Sequence, residues 1–303
     1  MERKFKYNRM KQTVLLLRPY QWVKNAFCFL PLFFDRHILD MEYLFPCIIA
    51  FVGYCFAASG IYCFNDIYDV ESDRRHPMKC NRPLASGVIS KRIGYMLMAI
   101  CWIISFAIIS SWNFTKGDRN LLYGTISFYI LMNIAYCIWL KRFAIIDVFI
   151  IALGFDLRIL IGGFSTGIWL SEWIIMMTFL LALFLALAKR RDDVVLFEKT
   201  GIKVRDSIDR YNVTFMNVVL TVAASITMVC YILYTVSPTV VTRFGSRHIY
   251  FTSFFVLLGI FRYMLIAIVD QDSGSPTHVL LKDKFLQTSI VGWIVCFGML
   301  IYI

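Results

Sequence analysis

Asn65, Asp66, Asp69 and Asp73 form an N-D-x-x-D-x-x-x-D pattern within the stretch FNDIYDVESDRRHPMKCNRP, residues 64–83. Asn65, Asp69 and Asp73 are spaced i, i+4 and i+8, and Asp66 precedes Asp69 by three. On a helix these oxygens line one face, with Tyr62 one turn earlier. Carboxylates one turn apart repel each other, so something must offset them. A hard cation such as Mg2+ does so, held by one or two carboxylates while phosphate oxygens and waters complete its shell. Arg74, Arg75, Lys79 and Arg82 follow at once and suit a polyanion that arrives with the metal. Carboxylates alone repel a diphosphate, whereas carboxylates with Mg2+ and nearby bases bind one. The plainer alternative is a solvated loop whose acids pair with adjacent bases. The spacing at the end of an apolar run weighs against it. Glu71 falls off the stripe and reads as surface. His76-Pro77 marks a helix end, because a residue before proline avoids the α region.

Further charges sit in or beside apolar stretches. Asp147 opens one such stretch, and Asp156 and Arg158 lie within it. A charge at membrane depth is costly unless it faces a cavity or a partner. Asp156 and Arg158 are two apart and cannot face each other on a helix. Arg158 is expected to face the functional cavity, and Asp156 to form a salt bridge to another helix. In LALAKRRDDVVLFEK, residues 185–199, Lys189, Arg190 and Arg191 abut an apolar run, where lipid phosphates sit. They are candidates for a lipid phosphate, against a general attraction to anionic lipid. Asp193 and Glu198 are weighed as a second metal site. Gly162-Gly163 reads as close helix packing, and SGSPT, residues 273–277, as a cytoplasmic turn without assigned chemistry.

These residues need a frame, and the composition supplies one. The 303-residue chain is 59% hydrophobic and 17% charged, with mean hydropathy +0.67. A soluble domain carries about 25% charged residues. Continuous apolar runs of roughly 20 residues mark membrane-crossing helices and exclude a barrel of short alternating strands. The hydropathy pattern predicts nine spans, near 21–37, 43–64, 93–112, 121–140, 144–165, 172–188, 213–236, 249–269 and 286–303. The first is interrupted by Pro31 and contains Lys24. Lys and Arg number twenty-four on one side of these spans against five on the other. The excess places the N-terminus and the charged loops 65–92 and 189–212 in the cytoplasm. The net charge of +11 is thereby a topology signal and gives no reason to expect nucleic acid.

Nine dispersed cysteines read as small buried hydrophobes, and four histidines argue against a His-based metal centre or haem. The basic N-terminus has no small-residue cleavage site and reads as retained. The expectation is a single all-α polytopic domain over 1–303, in a cell membrane, compatible with a homo-oligomer.

At these motifs the sequence resembles the UbiA superfamily of intramembrane prenyltransferases. RPYQWVKN (18–25), NDIYDVESDRRHPMKCNRPLASG (65–87), LALAKRRDD (185–193) and SGSPTHVLLKD (273–283) resemble its polyprenyl-phosphate phosphoribosyltransferase branch. The resemblance covers nearly the whole chain. It implies a UbiA-like bundle of nine transmembrane helices with cytoplasmic cap loops, Mg2+ dependence, phosphoribosyl pyrophosphate as donor and a polyprenyl phosphate as acceptor, in cell-wall biogenesis. Carried over, Asn65, Asp69 and Asp73 hold the metal, with Asp66, Lys79 and Arg82 joining Asp69 and Asp73 in catalysis. Lys24, Asn25 and Tyr62 surround the donor, while Lys189, Arg190 and Arg158 guide the lipid phosphate. Arg205 and Tyr211 match the branch without a derivable role. Aromatic prenyltransferases of the superfamily carry a second aspartate motif where this chain has KRRDD. An aromatic prenyltransferase using a prenyl diphosphate is the alternative. A lipid-phosphate or secondary transporter is the alternative from another class, although such carriers place coupling acids nearer the bilayer midplane.

Overall fold

In lipid, an apolar segment must satisfy its backbone polar groups internally, which favours helix throughout. The computed structural model describes residues 9–75, 79–201, 203 and 206–302, and every regular element among them is helical. The expected His76-Pro77 break and Arg205 lie outside the described residues.

Arg9–Leu17 (α1) leads into a 3-10 segment, Pro19–Phe29, and a short helix, Leu30–Phe34. Among the described residues, eight helices are then long and apolar enough to cross a membrane. They are Met41–Tyr68 (α2), Lys91–Ser111 (α3), Arg119–Ile138 (α4), Ile146–Thr166 (α5), Glu172–Thr200 (α6), Val213–Val236 (α7), His248–Asp270 and Lys284–Tyr302 (α9). The α-helical part of His248–Asp270 is Thr252–Leu265 (α8). The span expected over 21–37 is not among them. Polar Gln21, Lys24 and Asn25 occupy its first half, Pro31 removes an N–H, and Arg36 turns the chain at φ 64°.

Two other boundaries differ from expectation, both by extension. α2 continues to Tyr68, so Asn65 and Asp66 are helical. α6 continues to Thr200, so KRRDD lies on a helix and not in a loop, and Gly201 ends it at φ 69°. Burial of Arg190, Arg191, Val194 and Val195 on one side of this extension explains why it stays folded.

The chain forms two compact units. The first comprises residues 1–140 and 157–170. In it α2 packs against α3 and α4. A Cβ added to Gly60 would stand 2.3 Å from Trp102 Nε1, so glycine sets that approach. Leu16 of α1 is sealed among Cys63, Ile67, Val70, Leu84 and Ile89, which fixes the base of the acidic motif. The Gly162-Gly163 pair serves close packing as expected: a Cβ on Gly162 would lie 2.0 Å from the Cys28 carbonyl oxygen.

The second unit comprises residues 141–156 and 171–303. Its core joins Phe184, Leu187 and Ala188 of α6 to Met216 and Leu220 of α7 and to Ile260 and Tyr263 of α8. Asn212 caps α7 through Phe215 N at 2.7 Å, and Asp283 caps α9 through Leu286 N at 2.7 Å. None of the nine cysteines forms a disulfide, and six of them are buried.

Candidate active site

In the first unit the acidic motif is carried by α2, by Asp69 that closes it, and by a short helix, Val70–Arg75. The helical hydrogen-bond register persists across the junction, with Asp69 N on Asn65 O at 2.9 Å and Asp73 N on Asp69 O at 2.8 Å. Asp66 and Asp73 are buried, while Asn65 and Asp69 are half-buried. Arg82 Nη1 donates to Asp66 Oδ1 at 3.1 Å and to Asp73 Oδ2 at 2.7 Å. Two turns of the motif therefore meet on a single guanidinium nitrogen.

Asp66 Oδ1 also accepts from Arg18 Nη2 at 2.5 Å. Burial alone would lower the Arg18 pKa, but the adjacent Asp66 charge raises it above its ordinary value. The Arg18 guanidinium lies 5.2 Å from the Tyr62 ring centroid, which gives Tyr62 its place in the cluster. Asn65 Oδ1 accepts from Cys137 Sγ at 3.3 Å. Lys24 and Lys79 are half-buried. Glu71 is exposed as expected and pairs with Arg74 at 3.2 Å.

Deeper in the same unit, Arg158 Nε donates to Asn25 Oδ1 at 2.8 Å, and Asn25 Nδ2 to Cys55 Sγ at 3.1 Å. The guanidinium lies 5.2 Å from the Tyr54 ring centroid and 5.7 Å from that of Tyr129. Asn25 is thus the buried partner of Arg158, and the two expected site residues come together. The 3-10 segment that carries Asn25 is pinned by Trp22 Nε1 on Ser59 Oγ at 3.0 Å and by Ser59 Oγ on Leu17 O at 2.8 Å.

In the second unit the KRRDD side chains divide their partners. Arg190, 1% exposed, pairs with the fully buried Asp147 at 2.6 Å and with Asp193 at 2.7 Å. Tyr211 Oη donates to Asp147 Oδ1 at 3.2 Å and accepts from Ile145 N at 2.5 Å, which gives that residue a role. Burial pushes the Tyr211 hydroxyl up to about 12, so it stays a donor at neutral pH.

Arg191 is committed elsewhere: Nε to Asn217 Oδ1 at 2.6 Å, Nη1 to Ala267 O at 2.6 Å and Nη2 to Ile268 O at 3.4 Å. It cannot also serve a lipid phosphate without releasing the segment after α8, which corrects its expected role. Ser273 Oγ donates to Ala188 O at 3.0 Å, so the SGSPT turn docks on α6 beside the same charged run. Glu198 Oε1 accepts from Val213 N at 3.1 Å and helps to start α7, whereas Asp193 faces Arg190. These two acids do not build a second metal site. Asp156 is buried, but it forms no ion pair with any described residue, and its Oδ1 has no hydrogen-bond partner. The salt bridge expected for it is absent among the described residues.

No three His, Cys, Asp or Glu side chains converge on one point among the described residues. The position between Asp66 and Asp73 is taken by the Arg82 guanidinium. In kind, the donors fit a hard divalent ion: two carboxylates already share one cation, and the shell of Mg2+ is ordinarily completed by phosphate and water.

A family model described as UbiA prenyltransferase family matches residues 36–290. The chain belongs to the UbiA prenyltransferase family. Its relatives include proteins named decaprenyl-phosphate phosphoribosyltransferase. That of Corynebacterium glutamicum is 34% identical over 95% of this chain and 86% of its own length. That of Mycolicibacterium smegmatis is 33% identical over 97% and 94%. The fold is shared with a UbiA homologue from Archaeoglobus fulgidus, solved bound to GPP and Mg2+, at a TM-score of 0.70 and 19% identity, covering 96% of this chain and all of that one. The chain is therefore a membrane-embedded transferase of the UbiA family, which sets the carrier reading aside.

Arg18 was absent from the residues expected at the site. The signal available for it was its place at the head of RPYQWVKN. Asp147 and Tyr211 were visible in sequence but had no partner until the fold brought Arg190 to them.

Proposed function

We propose that the protein transfers the 5-phosphoribosyl group from phosphoribosyl pyrophosphate to a polyprenyl phosphate. The observation that carries this reading is the similarity over nearly the full chain to proteins named decaprenyl-phosphate phosphoribosyltransferase. The mixed cluster of Arg18, Asp66, Asp73 and Arg82 supports it, because it joins carboxylates for a metal to guanidinium groups for phosphate.

In the reaction the anomeric C–O bond to pyrophosphate breaks, and its electron pair leaves with the pyrophosphate. An oxygen of the lipid phosphate forms the new bond to the anomeric carbon. A Mg2+ ion, when bound, neutralises the leaving diphosphate as a Lewis acid. Asn65, Asp69 and Asp73 would hold it, with Asp66 beside them. Lys79 and Arg82 stabilise the charge that develops on the leaving group. Lys24, Asn25 and Tyr62 orient the donor, with Asn25 also fixing Arg158. Lys189 attracts and aligns the acceptor phosphate, whereas Arg190, buried between Asp147 and Asp193, holds the charged run in place and corrects the lipid-phosphate role expected for it. A phosphate monoester with a second pKa near ~6 is largely ionised at neutral pH, so no side chain has to remove a proton. The site and the N-terminus face the cytoplasm in this reading, where the donor is soluble.

Membranes containing the protein, given labelled phosphoribosyl pyrophosphate and a polyprenyl phosphate, should yield a labelled, acid-labile lipid. EDTA and Asp69→Ala should each abolish it. Labelling of an aromatic acceptor from a prenyl diphosphate, with none from phosphoribosyl pyrophosphate, would replace this reading with the aromatic prenyltransferase one.

A further inference from the structure

Arg18 occupies the left-handed region, at φ 52° and ψ 53°, directly before Pro19. A side chain with a Cβ is disfavoured there, and a following proline disfavours helical backbone further. Glycine ends helices in this conformation far more readily. Such strain persists only where surrounding contacts over-determine a residue. Here they do: Leu17 O and Trp22 are both tied to Ser59, on either side of Arg18. The product of that strain is one contact, Nη2 on Asp66 Oδ1 at 2.5 Å, made while the guanidinium rests on Tyr62.

Arg18 and Arg82 both use Oδ1 of Asp66, and Oδ2 has no hydrogen bond from any described residue. Two arginines therefore balance Asp66 and Asp73. Without Arg18, two carboxylates would face Arg82 alone, which leaves an excess negative charge that favours a cation and draws Arg82 away from phosphate.

We propose that Arg18 is a positioning residue that neutralises Asp66 through Oδ1, so that Asp66 presents Oδ2 and Arg82 is free to exchange between Asp73 and an incoming phosphate. The exchange of Arg82 rests on the phosphoribosyl-transfer reading, whereas the hold on Asp66 does not. A residue that merely ended α1 would have no effect on cation affinity.

The test is Mn2+ binding to the full-length protein purified in detergent, followed by electron paramagnetic resonance without donor or acceptor. Arg18→Gly relieves the backbone and removes the charge; it should bind Mn2+ about tenfold more tightly than the native protein, while Arg18→Lys stays within about threefold. Should Arg18→Gly fail to elute as a folded species, Arg18→Gln carries the same expectation. In the transfer assay kcat should fall by about tenfold or more in the neutral variants, opposite in sense to their cation affinity. Unchanged or weaker Mn2+ binding in the neutral variants, no restoration by lysine, or no Mn2+ binding by the native protein would each overturn the assignment. A native protein that binds Mn2+ but does not use phosphoribosyl pyrophosphate would sink the proposed function and leave the Arg18 comparison decisive.

Discussion

Arg190 and Asp147 form an ion pair of 2.6 Å in which neither side chain is more than 2% exposed. Breaking one side of such a pair leaves an uncompensated buried charge, at a cost of about 3–5 kcal/mol. Asp147→Asn should therefore lower the thermal midpoint in detergent by several degrees, and Arg190→Met with Asp147→Leu should recover much of the loss. Tyr211→Phe, which removes one hydrogen bond to the same carboxylate, should cost only about 1 kcal/mol. A double variant no more stable than Asp147→Asn would contradict this account of the pair.

Arg82 bridges two carboxylates through one nitrogen, a geometry that a lysine ammonium on a flexible stem does not reproduce. Arg82→Lys should lower kcat by about 10²-fold, with lipid-phosphate KM little changed. Steady-state kinetics with each substrate varied in turn would check the split.

Arg191 and Ser273 hold the segment after α8 onto α6. Arg191→Ala should lower stability by roughly 2 kcal/mol or more, since three hydrogen bonds from a charged group are lost. Donor and acceptor KM should remain near native values in whatever fraction stays folded. A selective rise in acceptor KM would instead return Arg191 to lipid binding.

Hydrogen bonding from Arg262 at 2.6 Å, helped by the backbone N–H of Leu286, holds the Asp283 carboxyl below its ordinary value. A depressed carboxyl contributes stability that is present above its unfolded pKa of about 4 and lost as pH falls through the folded value. The thermal midpoint should thus decline below about pH 4, and Asp283→Asn should flatten that part of the slope. Parallel melting curves from pH 3 to about 7 for both proteins provide the measurement.

Asp156 is buried without an ionic partner among the described residues. Asp156→Asn keeps its shape and removes its charge, so stability should be unchanged or higher. A large loss in the melting midpoint would show that the carboxyl has a specific partner.

Much of this was legible in the sequence. Continuous apolar runs report helices in lipid because no other element satisfies their backbone. The N-D-x-x-D-x-x-x-D spacing reported one face because α2 runs on into it. What failed to show was pairing across the chain. Nothing near Asp66 in sequence says that Arg18, forty-eight positions earlier, bonds it. KRRDD reads as one basic patch, yet helical rotation turns Arg190 toward Asp147 and Arg191 toward Asn217 and the segment after α8. The first apolar run misled because hydropathy averages over Lys24, Asn25 and Pro31, whereas the backbone answers to each of them singly.

α6 is one unbroken helix of 29 residues, about 44 Å long against a hydrocarbon layer of about 30 Å. The charged end that carries Arg190 has no hinge separating it from the lipid-soaked end. Tilt imposed by a thicker or thinner bilayer therefore reaches Lys189 and the buried Arg190–Asp147 pair undamped, and under the proposed reaction turnover should vary with bilayer thickness.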